Sequence, residues 1–238
     1  VASLYHVVVA VKPVVVVVEV HMWNWRIGLV YAILFLGTSV VAMGCGTNQH
    51  SSSQTSGYYL SSALWDSPEV SVCWENPSSD NLQGRELVER EVVSQFNQRT
   101  PLKFTGWSEE CREANIKVRI EDSHPHTKGL GNRIDGVSSG MVLNFDFKNW
   151  SQSCQRYRED CIGSIAVHEF GHAAALSHEH NRSDRPEDCN KDVQGSNGDT
   201  TVASFDRQSV MNYCNPHYNN GGVLSAGDIL TINQAYAK

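Results

Sequence analysis

The stretch His168-Glu169-Phe170-Gly171-His172-Ala173-Ala174-Ala175-Leu176-Ser177-His178 constrains this chain more than any other. His168 and His172 stand at i and i+4, so on a helix both imidazoles project from one face with Cβ atoms roughly 5–6 Å apart. That separation lets two ring nitrogens reach one tetrahedral zinc ion at about 2.0–2.1 Å. Glu169 follows the first of them, where a carboxylate can take a proton from a water beside the metal. His178 joins the pair only if the helix ends and the chain turns sharply near Ala175. The fold must therefore supply a helix for two ligands, a tight turn for the third, and an opening above them. Three imidazoles leave a fourth tetrahedral position free, which separates a catalytic zinc site from a structural one. The chain has ten histidines in 238 residues, and chance explains this grouping poorly.

These residues resemble the signature of the metzincin zinc endopeptidases, HExxHxxGxxH followed by a methionine-containing turn. The second part stands at Ser209-Val210-Met211-Asn212-Tyr213-Cys214. The continuation His178-Glu179-His180-Asn181-Arg182-Ser183-Asp184-Arg185 is similar to the astacin branch, and the implied relative is an astacin-like or matrixin-like bacterial enzyme. The motif resemblance covers residues 161–214 and extends more loosely over 67–238. It implies an α+β fold, a mixed twisted sheet with an active-site helix and a C-terminal helix. It implies one Zn2+ per chain on His168, His172 and His178, with Glu169 as general base and Met211 as an apolar floor. For Tyr213 it implies a hydroxyl that donates to the oxyanion of the tetrahedral intermediate. The implied partner is a protein or peptide substrate, paired in extended form with the edge strand above the cleft.

One residue departs from the pattern. Ala175 stands where the family has a glycine, which lets the helix end at positive φ; an L-residue adopts that conformation at a cost of about 1–2 kcal/mol. The departure motivates a rival expectation, a catalytically weakened zinc-bound surface binding protein. A third reading keeps hydrolysis and makes the substrate a small amide.

The N-terminal region gives the address. Residues 27–43 form an uncharged apolar run preceded by Arg26 and ended by Gly44-Cys45. That layout describes an export signal, and Ala42-Met43-Gly44-Cys45 is similar to a bacterial lipobox in which Cys45 receives the lipid. We therefore expect residues 22–44 to be a signal peptide of lipoprotein type and 45–66 a flexible polar tether. A secreted product and an uncleaved membrane anchor are the alternatives. Residues 1–21, a valine run before the first methionine, Met22, read as an upstream extension and are set aside from fold reasoning. The destination is the bacterial cell envelope or the medium, with a lipid anchor as the membrane partner and a monomer as the expected state.

Cysteine usage agrees with export. Besides Cys45, six cysteines (Cys73, Cys111, Cys154, Cys161, Cys189, Cys214) fall within 67–238, an even set that reads as disulfides. Sequence alone does not choose the connectivity. The motif map favours Cys154 with Cys161 at the entry to the zinc helix and Cys189 with Cys214 beside the methionine turn, leaving Cys73 with Cys111. The net charge of −7 comes without a basic cluster, which argues against a nucleic-acid partner.

Periodicity supplies the remaining frame. Residues 70–74, 102–107, 116–120 and 140–147 alternate as strands. Residues 81–98 carry Leu82, Leu87, Val88, Val92 and Phe96 at helical spacing. The zinc helix is expected over 161–174, and a last helix over 225–237 with Ser225 as N-cap. Residues 123–131 are breaker-rich and read as a loop or short edge strand; His124 and His126 there could hold a second metal, although solvated loop histidines fit as well. The Gly- and Asp-rich stretch 192–199 admits calcium, though a plain surface loop has the same composition.

Overall fold

The computed structural model describes residues 57–237 together with Val8–Val11 and Val14–Val17. The chain divides into two compact units, Val1–His50 and Ser51–Lys238. In the first, β1 (Val8–Val11) pairs antiparallel with β2 (Val14–Val17). The expected signal peptide, Cys45 and the first part of the expected tether lie outside the described residues. Among the described residues no helix is long and apolar enough to cross a membrane.

In the second unit, β3 (Gly57–Tyr59) precedes β4 (Glu69–Trp74), a strand of the main sheet paired on both sides. Next come α1 (Leu82–Val92), β5 (Lys103–Ser108), β6 (Ile116–Ile120), β7 (His126–Thr127) and β8 (Met141–Leu143). Two helices follow, α2 (Gln152–Arg156) and α3 (Arg158–Ala173), then β9 (Thr200–Val202) and α4 (Ala226–Ala235). The main sheet runs β5-β4-β6-β8-β7. Its first three pairings are parallel and β7 is antiparallel to β8. The sheet is thus mixed, as expected, with its one antiparallel strand at the edge. β8 is shorter than the periodicity of 140–147 predicts. Asn144 Oδ1 accepts the amides of Asp146 and Phe147, curling the chain away, and Phe147 adopts φ +58°.

Strand side chains that alternate in sequence meet helix stripes in one core. Val70, Val72 and Trp74 of β4 join Ile116, Val118, Met141 and Leu143 on the sheet, against Val88 and Val92 of α1 and Ile162, Ile165, Ala166 and Phe170 of α3. Phe104 stands edge-on to both Phe96 and Phe170, with centroids 5.2 and 4.8 Å apart. These contacts, of the T-shaped kind that aromatic quadrupoles favour, fix α3 against the sheet one residue after Glu169. Three disulfides join Cys73 to Cys111, Cys154 to Cys161 and Cys189 to Cys214.

The expectation of a tether as far as residue 66 is corrected. Residues 57–66 are part of the folded unit. β3 pairs antiparallel with β9, Tyr59 bridges Leu176, and the Leu60 amide donates to the Ala175 carbonyl. Ala63 and Trp65 are buried, and the Trp65 indole donates to the Ala173 carbonyl at 2.7 Å. The polar composition of 45–57 hides this change, because Tyr58, Tyr59, Leu60 and Trp65 follow it directly. A tether residue is dispensable to folding, whereas a buried tryptophan is not. Trp65→Ala is therefore expected to lower stability by about 3–5 kcal/mol in urea melts, and an unchanged midpoint would return this segment to the tether.

Candidate metal centre and catalytic cleft

Helix α3 carries His168 and His172 on one face, both buried. It ends in a Schellman motif. The Leu176 amide donates to the Gly171 carbonyl (3.0 Å) and the Ala175 amide to the His172 carbonyl (2.9 Å). Ala175 occupies the left-handed position of that motif at φ +69°, so alanine takes the glycine's backbone conformation. The chain reverses there and delivers His178 to the other two imidazoles.

Each ring is oriented by a backbone carbonyl. His168 Nδ1 contacts the Val210 carbonyl, His172 Nδ1 that of Leu176, and His178 Nδ1 that of Gln194, all at 2.9 Å. A carbonyl only accepts, so every Nδ1 carries the proton and every Nε2 presents a lone pair. The Nε2 atoms of His172 and His168 each lie 3.2 Å from that of His178. Burial pushes all three rings below the ordinary histidine range, His168 to about 3, which keeps them neutral and in their ligating form. Three converged lone pairs have no proton to share among themselves, and a cation satisfies all of them. Among the described residues this is the one group of three or more His, Cys, Asp or Glu close enough to hold a metal. The histidine-rich, uncharged donor set suits zinc.

The surroundings hold these carbonyls in place. Asp228, buried at the start of α4, accepts from Ser209 Oγ (2.6 Å) and the Val210 amide (2.9 Å), fixing the turn that carries Met211. Met211 is itself buried, and its Sδ lies 2.4 Å from where a Cβ at Gly171 would stand. Only glycine fits there. The Glu179 amide donates to the Met211 carbonyl (3.0 Å), joining the third ligand's segment to the same turn.

Glu169 is buried, and its Oε2 has no hydrogen-bond partner in the protein. Burial raises its carboxyl to about 8, opposed by a hydrogen bond from the Thr127 backbone on β7. A dication beside it favours the ionised form. Glu169, His172, His178 and Tyr213 line one cleft with residues of 124–130 and 194–196. The edge strand therefore borders the candidate base. Burial, with the nearby Glu169 charge, raises the Tyr213 phenol well above its ordinary range, so it stays a donor.

The candidate second-metal histidines both border the cleft. His124 packs edge-on to Trp150, with centroids 5.5 Å apart, and His126 Nδ1 contacts the His124 carbonyl. In the stretch 192–199 the Asp199 carboxylate accepts from Ser61 and Thr200.

Sequence reasoning missed a buried pair behind the third ligand. Arg182 spends its donors on Gly57 O, Ala203 O and both oxygens of Asp184, and lies 3.4 Å from Glu179. Their i, i+3 spacing beside His178 was the available signal. Also missed were the Gln194 carbonyl, which carries no side-chain signature, and Asp228.

No family model matches the chain. No curated protein sequence matches it. Solved structures do. A structure of myroilysin aligns with TM-score 0.55 at 19% identity, covering 76% of this chain and 99% of that one. A second myroilysin crystal structure gives 0.51 at 16% identity, covering 74% and 87%. High choriolytic enzyme 1, a hatching enzyme zinc-protease from Oryzias latipes (medaka fish), gives 0.46 at 19%, covering 74% and 96%.

The environment of Ala175 sets what a glycine there should do. Its methyl group is buried against Ala63 and Leu130, so removing it loses about 1 kcal/mol of packing and adds unfolded-chain entropy. Relief of positive-φ strain offsets both. Ala175→Gly should then shift stability by less than about 1 kcal/mol, while Ala175→Val, strained and crowded against Gly131, should cost about 3 kcal/mol or more. Thermal melts at saturating zinc check both, and a tolerated valine would mean that the turn relaxes to negative φ. Mixed sheet, ligand helix, left-handed turn and methionine turn together give the chain the fold it shares with the myroilysin structures.

Proposed function

We propose that the protein is an exported zinc-dependent endopeptidase that hydrolyses peptide bonds, with Glu169 as general base. The observation that carries this reading is the convergence of three Nε2 lone pairs beside a buried carboxylate at an open cleft. His168, His172 and His178 would hold one zinc ion per chain. Zinc, when bound, supplies the Lewis acidity that polarises a carbonyl and acidifies water.

The chain's own groups do the rest. Glu169 accepts the proton of the attacking water at its free oxygen as the new C–O bond forms. It then passes that proton to the leaving nitrogen as the C–N bond breaks. Tyr213, still protonated, donates its hydroxyl to the oxyanion of the tetrahedral intermediate. The short edge strand β7 offers backbone groups to an extended peptide, which aligns the scissile bond over the cleft. Met211 closes the floor below the imidazoles.

The rival, a zinc-bound surface binder, was motivated by Ala175. The left-handed conformation of Ala175 and the approach of His178 to its partners favour the hydrolase over that rival. The three disulfides suit an oxidising compartment outside the cytosol. Lipidation at Cys45, a monomeric state and a bacterial envelope location complete the reading.

Digestion of casein or a peptide library, with and without a zinc chelator, tests the activity. Elemental analysis should find one zinc per chain. Glu169→Ala should keep the metal and the fold while kcat falls by about 10²–10⁴-fold. A variant that turns over like the wild type would remove Glu169 from the mechanism.

A further inference from the structure

Tyr213 carries the hydroxyl on which the proposed reaction relies, and a phenol serves only where it is held. One side chain touches both its backbone and its ring. His180 is fully buried, and its Nδ1 accepts the Tyr213 amide at 3.3 Å. The two rings stack, with centroids 4.7 Å apart and planes 20° from parallel. His178 stacks on His180 in turn, at 4.9 Å and 29°.

The protonation pattern sets His180 apart from its neighbours. The three converging imidazoles donate from Nδ1 and leave Nε2 free. His180 accepts at Nδ1, so its proton sits on Nε2. That tautomer has no lone pair left for a metal. Its backbone is pinned as well, since the Arg185 guanidinium donates both to the His180 carbonyl and to that of Lys191. A residue that only filled space here would need neither an acceptor nor this ring orientation.

We propose that His180 is a positioning residue for Tyr213. Its Nδ1 fixes the backbone where the methionine turn ends, and its ring holds the phenol face-on in the cleft. The hydroxyl then meets developing charge without first reorganising. This inference rests on the zinc-peptidase reading given above.

Two variants separate the contacts. His180→Phe keeps a ring for stacking and removes the acceptor, while His180→Asn keeps an acceptor oxygen near the Nδ1 position and removes the ring. Each is expected to retain zinc, keep KM within about twofold and lower kcat by about tenfold or more. In a Tyr213→Phe background, either change should alter kcat by less than about twofold, because the group being positioned is already gone. Additive losses, or a KM effect at constant kcat, would overturn the proposal.

A second measurement is independent of turnover. In protein carrying ring-labelled tyrosine, the Tyr213 signals, assigned through Tyr213→Phe, should be shifted upfield by the stacked imidazoles. In His180→Asn the shielding by the remaining His168 and His178 rings should fall too, with loss of nuclear Overhauser contacts from Tyr213 to His168, while zinc content stays at the wild-type level. Unmoved signals would refute the positioning role whatever the kinetics. If the wild type hydrolyses no peptide, the peptidase reading fails, and the ring signals still decide whether His180 places Tyr213.

Discussion

Three backbone carbonyls decide the chemistry at the centre of this molecule. Val210, Leu176 and Gln194 each take the Nδ1 proton of one imidazole, and so turn three lone pairs toward a single point. Each carbonyl belongs to a different segment. Val210 lies in the methionine turn held by Asp228, Leu176 in the helix-ending turn, and Gln194 in a loop hydrogen-bonded to Asn181. Orienting partners of this kind set the tautomer and raise the basicity of a metal's ligands. The site is therefore as rigid as the least well-anchored of these segments.

The helix-ending turn shows how an unfavourable residue is tolerated. Ala175 gives up about 1–2 kcal/mol to its backbone conformation. It keeps both Schellman hydrogen bonds, and its methyl group lies in a small cluster with Ala63 and Leu130. The strand donated by residues 57–60 grips the turn from outside, since Leu60 binds the Ala175 carbonyl and the Tyr58 carbonyl takes the Ser177 amide. Surrounding contacts thus over-determine a local conformation that alanine alone would avoid.

Much of this was legible in the sequence, because the chemistry is strict about spacing. The i, i+4 histidines required a helix, the third required a reversal at Ala175, and alternation in Ile116–Ile120 marked a strand that the structure reproduces residue for residue. What sequence concealed was carried by backbone groups or by distant neighbours. A carbonyl such as that of Gln194 leaves no trace in residue type. Asp228 looks like an ordinary helix-start acid, and it is one, forming a capping box with Ser225 while also holding Ser209 and Val210. Residues 57–66 were misread because a polar run shades into them, and their partners lie far along the chain, at 130–133 and beyond 170.

The span of those contacts has a kinetic consequence. The Tyr58 hydroxyl meets the Gly198 carbonyl across 140 residues, and the Arg182 guanidinium meets the Gly57 carbonyl across 125. Closing loops of that length costs entropy before any contact rewards it, and non-local pairing slows folding. Helix α3 and the Cys154–Cys161 link close over short distances and need no such search. The segment at 57–60 is therefore expected to dock after α3 forms, and the turn at Ala175 gains its outer support only then.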